Sequence, residues 1–157
     1  MKKVIMIIFL ISINIIAAES INKDAISFYK NTSSKKDIVI ITDPECPHCR
    51  NLAKDKKDKF KNYNIKYILV ALPYHKNAKQ MISYILEGKD NTEKYHRYKE
   101  IMIGEDISYK EKKTNKKKVE KYLKDAMKEV KIFGIRKVPS IFDVEEEYIF
   151  QTTYEEL

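Results

Sequence analysis

The β-branched run Ile38-Val39-Ile40-Ile41 ends just before the segment Asp43-Pro44-Glu45-Cys46-Pro47-His48-Cys49-Arg50, which holds both cysteines of the chain. Such a run predicts a strand over Asp37–Thr42 that is buried on both faces. A helix is expected from the cysteine segment to about Phe60, with Leu52, Ala53 and Phe60 as its apolar contributions. Ile65 to Leu72 reads as a second apolar strand, ended by Pro73. The unit of about thirty-five residues has the size of a right-handed strand–helix–strand crossover. A strand buried on both faces needs cover from helices on each side, so the chain is confined to the α/β class.

The rest of the chain fits around that unit. Ile21 to Tyr29 carries a short apolar pattern suited to a helical turn leading into an edge strand, followed by a polar loop from Asn31 to Lys36. Ala78 to Leu86 places Met81, Ile82, Ile85 and Leu86 on one helical face, stopped by Gly88. A helix opening at Asn91-Thr92-Glu93 runs through Tyr95, Tyr98, Ile101 and Met102 to Gly104. A third spans roughly Lys116 to Phe133, with Val119, Leu123, Ala126, Met127 and Val130 at helical spacing. Val138–Val144 and Tyr148–Thr152 read as two strands around an acidic turn at Glu145, Glu146 and Glu147. The expected order is therefore βαβ, a helical block over about 75–133, and a β-hairpin.

Lys2 and Lys3 precede an apolar run from Val4 to Ile16, broken only by Ser12 and Asn14 and followed by Ala17-Ala18. A basic start, an apolar stretch of about 7–15 residues and small residues before a cut describe a secretory signal peptide. A permanent span needs about 20 apolar residues, so cleavage after Ala18 is expected, with an uncleaved anchor as the alternative. Either way, 19–157 is read as a single domain working outside the cytoplasm, in the periplasm. The net charge of +8 falls to +6 once Lys2 and Lys3 are removed.

That basic balance does not point to nucleic acid. The lysines are scattered along expected helix faces, and only Arg50, Arg97 and Arg136 could offer bidentate forks. The cluster Lys112, Lys113, Lys116, Lys117 and Lys118 contains no aromatic residue and reads as a solvated helix face. The 3 glycines and 4 prolines argue against linkers, collagen-like repeats and a turn-rich all-β fold, and no repeat period is present.

Cys46 and Cys49 lie between the buried strand and the helix. The thiolate is the reactive species, and free N–H groups at a helix start favour it. Cys46 falls at that start, and Cys49 lies one turn further in, within reach to open or close a disulfide. Pro47 suits the first helical turn. A protonated His48 adds positive potential near Cys46; stabilising the reduced pair in this way makes its disulfide a stronger oxidant.

The strand followed by Cys-Pro-His-Cys, with the distant Gly134-Ile135-Arg136-Lys137-Val138-Pro139-Ser140 before a strand, resembles the thioredoxin superfamily and, within it, the periplasmic Dsb proteins. Thr42-Asp43-Pro44-Glu45-Cys46 resembles the catalytic domain of the DsbC/DsbG isomerase branch, whereas Cys-Pro-His-Cys and Val138 before Pro139 are similar to the DsbA oxidase branch. The resemblance covers roughly residues 36–152. It implies a thioredoxin-like fold: a central mixed β-sheet flanked by helices, with a helical insertion after the βαβ unit. It also implies a cis bond before Pro139 beside the Cys46–Cys49 pair, and a Val138 backbone that binds extended client segments. The implied activity is disulfide exchange in exported client proteins, leaning to disulfide donation, with a membrane partner resetting the pair and no metal or organic cofactor. The sequence departs from the pattern in three places. Ile40 stands where thioredoxin carries a buried acid, the isomerase branch's N-terminal dimerisation domain is not accommodated, and the C-terminal helix is cut short after Thr153.

Other readings of the same residues remain open at this stage. Cys46 and Cys49 could be half of a zinc site, although zinc takes four ligands and His75 and His96 read as isolated surface residues. The pair could be a structural disulfide, although such bridges usually close longer loops. A reductase or isomerase, and a non-catalytic peptide-binding or chaperone module, are the rival functions.

Overall fold

The computed structural model describes residues 27–30, 36–55, 59–104, 116–132, 134–145 and 148–152. The leader, the polar loop at 31–35 and the segment after Thr152 lie outside them, as do Lys112 and Lys113. Among the described residues, five strands form one sheet in the order β1-β3-β2-β4-β5. They are β1 (Ser27–Lys30), β2 (Asp37–Thr42), β3 (Asn64–Leu69), β4 (Ser140–Glu145) and β5 (Tyr148–Thr152). β2 runs parallel to β3 and antiparallel to β4, while β1 and β5 close the two edges as antiparallel partners. The helices are α1 (Pro47–Asp55), α2 (Ala78–Leu86), α3 (Asn91–Ile103) and α4 (Lys116–Ile132). The chain thus has a mixed central sheet flanked by helices, with α2, α3 and α4 between the βαβ unit and the terminal hairpin.

β2 is central because its side chains tolerate no water on either face. From Ile38 to Thr42 each residue is at most 2% exposed. Burying one such Ile contributes about 1.5–3 kcal/mol, so this strand anchors the core. Alternation sends Ile40 and Thr42 to the face covered by α1 and α3, where Tyr67, the register partner of Ile40, stacks on Tyr95 and packs at a tilt against Tyr98. Ile41 and its partner Ile68 occupy the other face. There, α4 brings Glu129 towards Lys66, and the Leu69 N–H donates to Tyr122 Oη at 2.7 Å.

Several boundaries differ from the sequence expectation. The helix after the cysteines is described as far as Asp55, and Phe60 belongs to a separate 3-10 turn, Lys59–Asn62. β3 stops at Leu69 rather than Leu72, because the Leu72 N–H leaves the ladder to donate to Asp43 Oδ2 at 2.7 Å. β4 starts at Ser140 rather than Val138; Pro139 has no N–H for a ladder, and the Ser140 hydroxyl instead donates to the Lys137 carbonyl at 2.7 Å. On α4 the buried stripe uses Val119, Tyr122 and Ala126, and Met127 turns out to solvent at 45% exposure.

The turns have distinct causes. Asp90 caps α3 by accepting from the Glu93 N–H at 2.8 Å, and the Glu93 carboxylate accepts from the Lys89 N–H at 3.0 Å. Gly88 is required by close approach: a Cβ there would lie 2.7 Å from the Lys94 backbone nitrogen. Gly134, with φ +63, ends α4 in the left-handed conformation, and the Ile135 N–H donates back to Val130 O at 3.1 Å. This turn delivers Arg136 to Pro139 to the start of β4.

Candidate functional site

The end of β2 builds the site. After Thr42 the chain turns at Pro44-Glu45, and the Cys46 N–H donates to the Asp43 carbonyl at 3.1 Å. Cys46 then caps α1, its carbonyl accepting the first helical bond, from the Arg50 N–H, at 3.0 Å. Pro47 is the first helical residue, where its missing N–H costs nothing. Pro47 and His48, the two expected tuning residues, are exposed. Arg50, half-buried, donates from Nη2 to the Gly104 carbonyl at 3.1 Å and ties α1 to the end of α3.

The two sulfurs are not equivalent. Both cysteines are free thiols, and Cys46 is 6% exposed against 1% for Cys49. Cys49 Sγ accepts from the Asp43 backbone N–H at 3.4 Å and is in hydrogen-bonding contact with the Thr42 hydroxyl and with Cys46. Burial pushes the Cys49 thiol from 9.0 up to about 12; the Thr42 and Asp43 contacts oppose this in part, and Cys46 adds to it. Cys49 is therefore a protonated thiol at neutral pH. A pair in mutual contact, with its outer member at a helix start and its inner member held protonated, has the arrangement that thiol–disulfide exchange requires.

Sequence reading missed the support beneath this turn. The Asp43 side chain is fully buried. Its Oδ1 accepts from the Glu45 N–H at 2.8 Å, and its Oδ2 accepts from the Leu72 N–H at 2.7 Å. His75, expected at the surface, has only 13% of its side chain exposed, and its Nδ1 lies 2.9 Å from Asp43 Oδ2. The Nδ1 atom is buried without a well-directed hydrogen bond, so this contact is a close approach rather than an aligned bond. Glu45 continues the clasp: Oε2 accepts from the Asn77 N–H at 2.6 Å and Oε1 from Asn77 Nδ2 at 3.1 Å. The loop after β3 is thereby fastened to the residues before Cys46. Periodicity gives no signal for such a clasp; an acid three residues before Cys46 and a histidine just past β3 were the only available hints.

The second expected motif arrives from the other side of β2. Ser140 pairs with Ile41, so Pro139 lies one step further along, at the end of β2 from which the cysteine segment departs. The Val138–Pro139 peptide bond is cis, and both residues are half-buried. Cys46, Cys49, Val138 and Pro139 thus lie at one end of the sheet, although about ninety residues separate them in sequence. His96 stays on the surface with Glu100, 3.1 Å away. Among the described residues, no group of three or more His, Cys, Asp or Glu side chains is placed to hold a metal ion.

No family model matches the sequence, and no curated protein matches it. Solved structures do. The chain is similar to Pseudomonas aeruginosa DsbA2, with 14% identity over 86% of this chain and 92% of that one and a TM-score of 0.64. It is similar to Wolbachia pipientis alpha-DsbA1 at 13% identity, covering 85% and 84% of the two chains with a TM-score of 0.65. With Helicobacter pylori DsbG it shares 20% identity over 75% of its length, spanning 55% of that longer chain, with a TM-score of 0.54. At these identities the likeness establishes the fold, which is the thioredoxin-like fold of Dsb-type proteins.

Proposed function

We propose that this chain is an exported protein thiol–disulfide oxidoreductase acting through Cys46 and Cys49, with disulfide donation as its main direction. The observation that carries the reading is the asymmetry of the pair: two contacting thiols, the outer at the start of α1 and the inner buried and held protonated. The fold shared with DsbA-type proteins supports the activity class, and the leader-like residues 1–18 support a periplasmic location. Among the described residues, no helix is long and apolar enough to cross a membrane.

In the donating direction a client thiolate attacks Sγ of Cys46 in the Cys46–Cys49 disulfide. The S–S bond breaks, a mixed disulfide forms, and Cys49 leaves as a thiolate that takes a proton. A second client thiolate then attacks the client sulfur of the mixed disulfide, and Cys46 departs as the anion. The client loses two electrons and the pair gains them; a membrane redox partner resets the pair. Val138 and Pro139 are the residues proposed to bind the extended client strand, by backbone hydrogen bonds at the sheet end. Pro47 and His48 are proposed to tune Cys46, with neither metal nor organic cofactor taking part.

The likeness to DsbG keeps a reducing or isomerising direction as the second reading. Equilibration with glutathione separates the two. A disulfide-donating pair has a potential near DsbA's, about −120 mV, and a value near thioredoxin's, about −270 mV, would reverse the assignment. Cys46→Ser must abolish exchange. Retention of function in cells by that variant would leave a peptide-binding module as the surviving reading. Covalent capture of clients on Cys46 in the Cys49→Ser variant identifies the partners.

A further inference from the structure

Against Cys49, but not Cys46, is a cavity of about 30 Å³. Its lining includes Thr42 and Ile40 of β2, Cys49 of α1, and Tyr95, Tyr98 and Lys99 of α3. The volume exceeds the roughly 10–15 Å³ that one water needs, and the hydroxyl, phenol and thiol groups give such a water its polar partners. The lining grades outward from Thr42 and Cys49, each 1% exposed, through half-buried Tyr95 to exposed Lys99, whose Nζ lies 5.0 Å from the Tyr95 ring centroid. The Thr42 hydroxyl is in hydrogen-bonding contact with Cys49 on one side and Tyr98 on the other.

This geometry meets a need of the proposed exchange cycle. Whenever Cys49 acts as the attacking sulfur, it must first lose a proton that its burial holds firmly. The residue facing the cavity from the middle of β2 is Ile40, which can accept none. Among the described residues, the titratable groups lining it are Cys49 from α1, Tyr67 from β3, and Tyr95, Tyr98 and Lys99 from α3, with no carboxylate or imidazole among them. Asp43 and His75 touch the other side of the turn, where only the Asp43 backbone N–H reaches Cys49.

We propose that Thr42, with Tyr98 holding its hydroxyl in place, relays the Cys49 proton into this cavity, whose water passes it to solvent past Tyr95 and Lys99. The inference rests on the exchange function proposed above. In the step served, the proton leaves Cys49 Sγ through the Thr42 hydroxyl to water. The electron pair left behind attacks Cys46 Sγ in a mixed disulfide, the Cys46–Cys49 bond forms, and the bond from Cys46 to the bound sulfur breaks. The departing thiolate takes up the equivalent proton from solvent. Thr42 is the relay residue, and Tyr98 is a positioning residue acting through it.

The test uses the reduced full-length protein and Ellman's reagent, which separates the two sulfurs in time. The first release of thionitrobenzoate reports Cys46 attack, and the second reports closure by Cys49. Thr42→Val and Tyr98→Phe are expected to leave the first phase at the wild-type rate. They slow the second roughly a hundredfold at neutral pH, the low end of what a positioned proton transfer contributes. They also shift the pH profile of the second phase to higher pH, whereas Thr42→Ser, which keeps the hydroxyl, closes at the wild-type rate. If the wild type never gives a second release, the exchange function itself fails. If the wild type closes and both variants close equally fast with unchanged pH profiles, only the relay is overturned. Equal slowing of both phases also overturns it, by showing a structural effect. Tyr98→Phe with Thr42→Ser decides the matter should Thr42→Val not fold.

Discussion

Replacing Asp43 tests whether the site turn is held by one buried carboxylate. The side chain is fully buried and accepts two backbone N–H groups, from Glu45 at 2.8 Å and Leu72 at 2.7 Å, with His75 Nδ1 at 2.9 Å. Hydrogen bonds to a charged group contribute about 1.5–3 kcal/mol each. Both N–H groups are only part-buried, so water recovers some of the loss. Asp43→Ala should therefore destabilise by about 3–5 kcal/mol, and Asp43→Asn, which keeps one acceptor oxygen, by about 1.5–3 kcal/mol. Urea unfolding reads this directly. With a slope of about 1–3 kcal/mol per molar, the Ala variant shifts the midpoint down by at least about 1 M at unchanged slope. A double-mutant cycle with His75→Ala should give a coupling of about 0.5–3 kcal/mol. An Asp43→Ala loss below about 1 kcal/mol would refute the argument that this carboxylate carries the turn.

Tyr122→Phe removes the acceptor of the Leu69 N–H bond and leaves that donor buried, so a loss of about 1–3 kcal/mol is expected by denaturant titration. Gly88→Ala drives a Cβ to within 2.7 Å of the Lys94 backbone nitrogen; an overpacking cost of about 1–3 kcal/mol should appear as a lowered melting temperature, and wild-type stability would contradict the close approach. The folded state raises Cys49 from 9.0 to about 12, so between those limits it binds a proton that the unfolded chain has released. Stability of the reduced protein should be fully present below pH 9 and fall as pH rises towards 12. Burial also raises Tyr67, Tyr98 and Tyr122 from 10.0, so their contribution begins about one pH unit later. The Cys49→Ala variant isolates the thiol: it should show a smaller alkaline loss between pH 9 and 10, and identical curves would contradict the assignment.

Much of the fold was legible because it rests on apolar pattern. The run Ile38–Ile41 fixed β2, and the spacings along Ala78–Leu86 and Lys116–Phe133 set α2 and α4 to within a residue or so. The places where pattern failed are those where a single polar bond overrides it. Leu72 is as apolar as Leu69, yet its N–H goes to Asp43 and the strand ends. Val138 is β-branched, yet the ladder waits for Ser140 because Pro139 cannot donate. Met127 has the right period but sits at the edge of the stripe, where Tyr122 and Ala126 already fill the space. His75 looked isolated in sequence because its partner lies thirty-two positions away, joined only when β3 packs beside β2.

The same contrast explains the site. Two cysteines three apart, with Pro47 between them, announce themselves in sequence because their chemistry depends on local spacing along one helix start. The inequality between them is not local. Cys49 is held protonated by burial, while Thr42 from the preceding strand and the Asp43 N–H pull the other way by favouring its anion, and Asp43 is itself fixed by the loop after β3. Three separate elements thus converge on one sulfur while the other sits at the helix start beside exposed Pro47 and His48. The helix start alone already favours the anion at Cys46; the burial that keeps Cys49 protonated belongs to the fold. Substitutions at Thr42, Asp43 or Tyr98 should therefore change which step limits exchange, whereas substitutions at Pro47 or His48 should change how strongly the reduced pair is favoured.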